Sequence, residues 1–250
     1  MSRCRPFART LVSILTATGK ALFREPSYVG DVVSAIWSRL TWSRALFGLL
    51  IVNLVWTASL FLCPYTLPPG STPPNLVGGA NIIDHENVWE KFPLYARAVY
   101  TIGDAQCHQL WYRSFFLNGN QLPIDERMTS MYLFANLGLL AAIFARPSTS
   151  TGQVMLNGLP EFLRRRLWKF GPDRAGALVL VLGLIPMAID GFTQLSGRYE
   201  STPLARGLTG GLAGFVGGLL VGAMLVTIRQ FSLEMQRMHA HMQADSASLR

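Results

Sequence analysis

The chain has 250 residues, of which half are hydrophobic and only 14% are charged, with a net charge of +8 and a mean hydropathy of +0.29. This composition argues against an ordinary soluble domain and indicates an integral membrane protein with sizeable aqueous loops. The sequence also lacks the motifs GxxxxGKS/T, HExxH, GxSxG and CxxC, so the soluble chemistries that those motifs serve have no support.

Residues 1–44 form a basic N-terminal segment that we expect on the cytoplasmic surface of the membrane. The stretch Phe7–Phe23 is similar to a signal peptide, because Arg3, Arg5 and Arg9 precede its apolar patch, but Lys20 interrupts the patch and no small-residue cleavage site follows. We therefore predict an interfacial amphipathic helix there, which Ser27–Leu40 continues along the surface.

Four apolar segments are long enough to cross a hydrocarbon core of about 30 Å as helices. All four lack Lys and Arg, and Asp190 is the only formal charge inside them. They predict an all-α, polytopic membrane protein with a four-helix transmembrane bundle over residues 45–228. The segments are Ala45–Cys63, Thr129–Ala145, Ala175–Gly191 and Gly207–Ile228.

The basic residues are distributed unevenly among the connections. Sixteen of the 22 precede the first segment, separate the second from the third, or follow the fourth. Under the positive-inside rule, both termini, the loop 146–174 and the tail 229–250 are expected in the cytoplasm of a cell bounded by the plasma membrane, with the loop 64–128 outside. Because anionic lipid attracts such flanks, the positive charge requires no nucleic-acid partner.

The outer loop 64–128 changes character along its length. It begins with five prolines, which favour an extended segment, and becomes rich in aromatic residues and partly helical in pattern from Val88 to Leu117. Such a composition is typical of a segment in the membrane interface, so we expect it to cap the outer ends of the spans.

Asp104, Cys107 and His108 lie close together in that loop. On a helix, Asp104 would stand one turn before His108 and could orient its imidazole as a base or a metal ligand. A zinc site needs three or four ligands, so no metal is assigned and no cofactor is identified. Three states of Cys107 stay open: a metal ligand, a disulfide with Cys63, or a free thiol.

The third segment ends in a proline followed by its only acid. Pro186 removes a backbone donor and should kink the helix just before Asp190. If the helix persists, Asp190, Thr193 and Gln194 share a face; if Gly191 ends it, the acid lies just outside the hydrocarbon. An acid at a helix C-terminus opposes the macrodipole and needs a cation, and Arg206 is the nearest candidate in sequence. If the polar clusters converge, we expect Asp190 within hydrogen-bond reach of Arg206 or Arg127, with His108 facing the same cavity.

The fourth segment carries a row of glycines at every fourth position. Such a face lets a neighbouring helix approach closely in lipid, so this segment is predicted to be the packing spine of the bundle. The glycines are Gly210, Gly214, Gly218 and Gly222.

Several short runs in Leu94–Leu225 carry a resemblance to a known family. They include Cys107-His-Gln-Leu, Asp125-Glu-Arg-Met, Pro186-Met-Ala-Ile-Asp-Gly-Phe-Thr-Gln and Arg206-Gly-Leu-Thr-Gly. In this order they resemble the prokaryotic membrane proteins grouped as domain of unknown function 2085. The resemblance implies a membrane protein of undefined activity. Many relatives carry a Cys-x-Arg-like motif where this chain has Asp125-Glu126-Arg127, which weakens a thiolate-metal or dithiol role here.

Two classes of function follow from the polar residues near the ends of the spans. In the first, they meet at the extracytoplasmic membrane face and form a catalytic site for a lipid or polyprenyl-phosphate substrate, with arginines on the anionic oxygens and a histidine as acid or base. In the second, they form a satisfied polar network, and the protein is a non-catalytic accessory or structural subunit of a membrane complex. Membrane lipids are expected partners in both classes, with protein partners or a homo-oligomer left open. The candidate residues are Cys107, His108, Asp125, Arg127, Asp190 and Arg206.

Overall fold

The structure is a computed structural model that describes residues 26–79, 81–197 and 199–248. The amphipathic helix predicted for Phe7–Phe23 lies outside the described residues. The described residues divide into two compact units, one that ends at Trp42 and one that begins at Ser43. In the first, helix α1 spans Pro26–Leu40 and exposes Val33, Ile36 and Trp37.

The second unit contains the four long helices that the sequence predicts. They are α2 (Arg44–Leu62), α5 (Glu126–Phe144), α8 (Pro172–Leu195) and α9 (Pro203–Ser248), and each is long and apolar enough to cross a membrane. The all-α polytopic fold is therefore confirmed. Two helices extend past their predicted ends: α8 continues through Gly191 to Leu195, and α9 continues 20 residues beyond Ile228.

The glycine row of α9 lies against α5, which runs in the same direction. A Cβ atom added to Gly210, Gly214 or Gly218 would lie 2.5, 2.2 or 2.3 Å from a backbone oxygen of α5. Gly138 of α5 is equally close to the backbone of α9, with Phe215 O at 2.2 Å. The predicted packing spine is present, because only glycine permits this backbone approach.

The connection between α5 and α8 contains two short helices, α6 (Thr151–Asn157) and α7 (Glu161–Leu167), and a 3₁₀ turn (Trp168–Phe170). Helix α6 is buried, and its Gly152 lies against Gly176 of α8, where an added Cβ would be 2.7 Å from the Cα of Gly152. Helix α7 has no buried residue.

The connection between α2 and α5, residues 63–125, folds into a compact layer that we call the cap. It contains a 3₁₀ turn (Cys63–Thr66), α3 (Glu86–Trp89), α4 (Leu94–Asp104), a second 3₁₀ turn (Trp111–Arg113) and a two-stranded hairpin, β1 (Phe116–Leu117) and β2 (Asn120–Gln121). Asn118 and Gly119 turn the hairpin with φ of 52° and 70°, as a type I′ turn requires.

The cap has its own apolar core, which the sequence did not predict. Trp89 and Tyr100 stack at 4.9 Å and are 0% and 1% exposed, so these two aromatic residues do not face the membrane interface. The hairpin holds the proline-rich segment, since Asn120 Nδ2 donates to the carbonyls of Pro64 and Pro68, both at 3.0 Å.

Candidate functional site

An ion pair joins α5 to α8 at the end of the bundle that carries the cap. Arg127, in the first turn of α5, donates from Nη2 to the carboxylate of Asp190 and, at 3.2 Å, to Oε1 of Gln194. Because α8 does not stop at Gly191, Asp190 and Gln194 lie one turn apart on the same face. Asp190 is 8% exposed. The cation expected for this acid is therefore present, but it is Arg127 and not Arg206, the nearest in sequence.

Arg206, in the first turn of α9, holds two other carboxylates. Its Nη1 lies 3.3 Å from Oε2 of Glu126, and its Nη2 donates to Oε1 of Glu200. Arg113 of the cap binds Glu200 in the bidentate geometry, with Nε and Nη2 each 2.7 Å from a carboxylate oxygen. This chain of contacts connects α5, α9 and the cap.

The six charged residues of these contacts form what we call the charged cluster: Arg113, Glu126, Arg127, Asp190, Glu200 and Arg206. Three guanidinium groups face three carboxylates, so the formal charges balance, and every carboxylate contacts a guanidinium. The hydrogen bonds from Arg113 lower the pKa of Glu200, which keeps this carboxylate ionised at neutral pH.

Some donors of the charged cluster lack an acceptor. Arg127 Nε, Arg206 Nε and the neighbouring Gln194 Nε2 are buried without a hydrogen-bond partner. Beside Asp190 lies a cavity of about 510 Å³, whose wall is mostly apolar and is formed by Ile185, Pro186, Ile189, Asp190, Thr193 and Tyr199. Buried polar groups are normally satisfied, so water or a polar ligand is expected near these donors.

Asp125 and Cys107 have structural contacts. The Asp125 side chain caps α5 by accepting from the backbone N of Met128 at 2.7 Å, and its own backbone N donates to Cys107 Sγ at 3.3 Å. Burial raises the pKa of the Cys107 thiol to about 12, so the thiol stays protonated at neutral pH. Cys63 and Cys107 are both free, so the disulfide considered for Cys107 is not formed in the structure.

His108 does not join the charged cluster. Helix α4 ends at Asp104, so the helical spacing that would place Asp104 beside His108 does not exist. The His108 side chain is exposed, and the described residues give it no hydrogen bond. The prediction that Asp104 orients His108 is wrong.

Asp104 instead orients His85, which the sequence reasoning missed. Asp104 is fully buried and accepts from the backbone N of His85 at 2.9 Å and from Trp89 Nε1 at 2.9 Å, and the His85 Nδ1 lies 3.2 Å from its other oxygen. These contacts tie the start of α3 to the end of α4. No local spacing could reveal them, because His85 and Asp104 are 19 residues apart.

Of the predicted site residues, Arg127 contacts Asp190, and Arg206 contacts two other acids. Cys107 and Asp125 contact each other at the start of α5, where Asp125 caps the helix. Glu126, Glu200 and Arg113 complete the charged cluster and were missed as site residues. The sequence signal for Glu126 was only its place after Asp125, a residue type that begins helices; the cap does not determine which way Glu126 points. Within the described ranges, no three His, Cys, Asp or Glu residues converge as a metal site requires.

Comparison with known proteins places this region in a family model. Residues 107–220, which include the whole charged cluster, match the family described as "predicted membrane protein (DUF2085)". The chain is 30% identical over 166 residues to an uncharacterised protein of Methanocaldococcus jannaschii, covering 66% of this chain and 83% of that protein. It is also 33% identical over 108 residues to an uncharacterised protein of Methanothermobacter thermautotrophicus, covering 43% and 77%. No solved structure matches the chain.

Proposed function

Because the chain belongs to the DUF2085 family of predicted membrane proteins, we propose a role exercised in the membrane: a non-catalytic scaffold whose charged cluster fixes three spans and the cap, and whose last span pairs with a second copy. The observation that carries the non-catalytic role is that every carboxylate of the charged cluster is held by a guanidinium. A general base needs a free lone pair within reach of a substrate, and the candidate base His108 points elsewhere.

The ion pair of Arg127 and Asp190 provides the test of this role. Removing one partner of a buried pair leaves an uncompensated charge and costs about 3–5 kcal/mol, whereas replacing both by apolar residues is often neutral. Arg127→Met alone is therefore expected to lower the melting temperature in detergent, and Arg127→Met combined with Asp190→Leu to restore most of it. Arg166→Gln, an exposed arginine of α7, is the control. A single variant that melts like the wild type would contradict the scaffold role.

The pairing surface is an exposed apolar stripe along α9. Val221, Met224, Ile228, Phe231, Met238 and Met242 are 44–62% exposed, and with the partly exposed Met235 they follow the alternating three- and four-residue spacing of a coiled-coil seam. The 46 residues of α9 span about 69 Å at about 1.5 Å per residue, more than twice the roughly 30 Å hydrocarbon core. Lipid can cover the first half of the stripe, but not Phe231, Met238 and Met242.

A second copy of this chain suits the stripe because polar side chains that flank it can pair between the two copies. In a parallel pair of helices, a residue at position g faces the partner residue five positions later at position e. With Ile228 at position a, Glu234 occupies g and His239 occupies e. Two copies inserted in the same orientation have parallel α9 helices, so each Glu234 would face the other copy's His239.

Oxidative crosslinking in isolated membranes tests the pairing. Phe231→Cys and Met238→Cys, each made with Cys4→Ser, are expected to give a disulfide-linked dimer, since positions a and d bring the two helices together. Ala240→Cys, on the opposite face, should stay monomeric. Equal crosslinking at all three positions, or a crosslink only to a different protein, would reject the second copy.

The cavity beside Asp190 and the unmatched donors favour a second candidate, an enzyme acting on a lipid or polyprenyl phosphate. Arg127 and Arg206 would bind the anionic oxygens, with Asp190 at the apolar wall. The double variant of Arg127 and Asp190 separates the two roles: it keeps both fold and cellular phenotype if the pair is structural, and it keeps only the fold if the pair is catalytic.

For both candidates we propose the plasma membrane as the location, with both termini in the cytoplasm and the cap outside. The support is the excess of basic residues in the N-terminal segment, the connection between α5 and α8, and the end of α9. The charged cluster would then lie at the extracytoplasmic face.

A further inference from the structure

We propose that the connection between α5 and α8 carries a binding site for the headgroup of an anionic phospholipid. The site is a cavity of about 290 Å³ at the opposite end of the bundle from the cap. Its wall is formed by Arg146, Asn157, Glu161, Arg164, Arg165 and Trp168. The proposal is independent of the charged cluster and of the pairing of α9.

The cavity has an excess of positive charge. Arg165 Nη2 lies 2.6 Å from Glu161 Oε1, and Arg164 Nη2 lies 3.7 Å from the same oxygen, so one carboxylate is shared by two guanidinium groups. Arg146 makes no ion pair within the described ranges, and three cations therefore face one anion. The excess charge suits a phosphodiester, which accepts hydrogen bonds from several guanidinium groups.

The local structure keeps these groups together. Asn157 Nδ2, at the end of α6, donates to the backbone carbonyl of Arg146 at 3.2 Å. This hydrogen bond holds the start of the connection, just after α5, against the end of α6. Arg165 is held by two hydrogen bonds to Glu161, from Nε at 3.0 Å and from Nη2 at 2.6 Å. These hydrogen bonds link Arg146 to Asn157 and Arg165 to Glu161, all of which form the wall of the cavity.

The surroundings of the cavity indicate a lipid as the source of the phosphate. Phe162, Trp168 and Phe170 are 65%, 46% and 59% exposed, although α7 and the turn after it also carry Arg164, Arg165, Arg166 and Lys169. A segment with exposed aromatic and basic residues lies in the membrane interface, where rings enter the acyl region and guanidinium groups stay at headgroup depth. The exposed aromatic rings would contribute nothing to the binding of a soluble phosphate.

Native mass spectrometry of the purified chain with phosphatidylglycerol or phosphatidylcholine tests the site. The wild type is expected to retain phosphatidylglycerol selectively. Arg146→Gln with Arg164→Gln should weaken this retention about 30-fold, from a factor of about five for each basic contact. Arg166→Gln with Lys169→Gln removes the same charge from residues outside the cavity and should change retention little.

Three outcomes would overturn the proposal. The first is an equal loss of phosphatidylglycerol in both double variants, which would mean that only overall charge matters. The second is equal retention of phosphatidylcholine by the wild type. The third is complete displacement of the lipid by inorganic phosphate at comparable concentration, which would identify a site for a soluble anion. Unchanged melting temperatures would confirm that the double variants are folded, and Arg164→Gln alone is the milder variant if they are not.

Discussion

Each guanidinium of the charged cluster holds a carboxylate that comes from another part of the fold. Arg206 is 3% exposed and contacts both Glu126, which is 5% exposed, and the more exposed Glu200. A buried charge is tolerated only when it is paired and hydrogen-bonded, and the planar guanidinium can serve two carboxylates at once. Lysine, with a compact ammonium, would not reproduce these contacts at Arg113 or Arg206.

The ion pair of Arg113 and Glu200 predicts a pH dependence. The lowered pKa of Glu200 means that the pair stabilises the fold above the ordinary carboxylate pKa of about 4.3 and stops doing so as the pH falls through the lowered value. Because the Glu200 side chain is 51% exposed, solvent screening limits the contribution to about 0.2–1 kcal/mol. The difference in melting temperature between the wild type and Glu200→Gln should therefore shrink from about pH 6 to about pH 3.

Glu86→Gln is the control for this measurement, since Glu86 is exposed and makes no ion pair in the described part of the chain. Its difference from the wild type should stay small at every pH. A constant difference for Glu200→Gln would show that the carboxylate acts through its shape and not through its charge.

Helix α9 combines a close-packed face with an open one. Its row of glycines meets the backbone of α5, whereas Gly217 has no atom within 4 Å of an added Cβ. The two faces of one helix therefore provide a matched pair of substitutions. The difference between them comes from packing alone, because Gly→Ala raises helix propensity equally at both positions.

Gly214→Ala is expected to destabilise the bundle, because its Cβ would lie 2.2 Å from Met131 O and the two backbones would have to separate. Overpacking of this kind typically costs about 1–3 kcal/mol. Gly217→Ala should be neutral or slightly stabilising. The measurement is the folded yield and melting temperature in a mild detergent. Equal tolerance of both substitutions would contradict the packing of α9 on α5.

Helix α5 shows how local chemistry positions the charged cluster. Asp125 ends the cap and begins the helix, so Glu126 and Arg127 fall in the first helical turn and point to different neighbours. Glu126 reaches Arg206 of α9, and Arg127 reaches Asp190 of α8. The capping residue determines where the helix begins, and the packing of α8 and α9 against α5 supplies the two partners.

The two ends of the helix bundle differ in charge, since one carries the balanced charged cluster and the other the basic connection. The charged cluster and the cap lie where α5 and α9 begin, and the basic connection between α5 and α8 lies at the other end. The proposed orientation puts the cap outside the cell and the basic connection in the cytoplasm, where anionic lipid is enriched.

Cysteine labelling tests this orientation in intact cells. Ile82→Cys in the cap, where Ile82 is 58% exposed, should react with a membrane-impermeant maleimide. Thr149→Cys, between α5 and α6, should react only after lysis. Cys63 and Cys107 are buried and can stay in place, so only Cys4 needs replacement by serine. The reverse labelling pattern would move the charged cluster to the cytoplasmic face.

The spans, the glycine row and the need of Asp190 for a cation were all predictable from the sequence. Each rests on a rule that acts within one segment: hydrocarbon demands a long apolar run, a four-residue period marks one helix face, and an acid in an apolar helix needs a partner. The extra length of α8 and α9 was not predictable in the same way, because α8 continues through Gly191, a common helix stop, and Arg229 ends the apolar run of α9 without ending the helix.

The partners inside the charged cluster and the core of the cap depended on the tertiary structure. Arg127 and Asp190 are 63 residues apart, Arg206 and Glu126 are 80 apart, and Arg113 and Glu200 are 87 apart. Separation in sequence gives no direction in space, so the sequence named Arg206 and Arg127 as partners of Asp190 but could not decide between them. The same reason explains His85 and Asp104: a buried carboxylate binds the donors that packing brings to it, and residue spacing predicts this only within one helix.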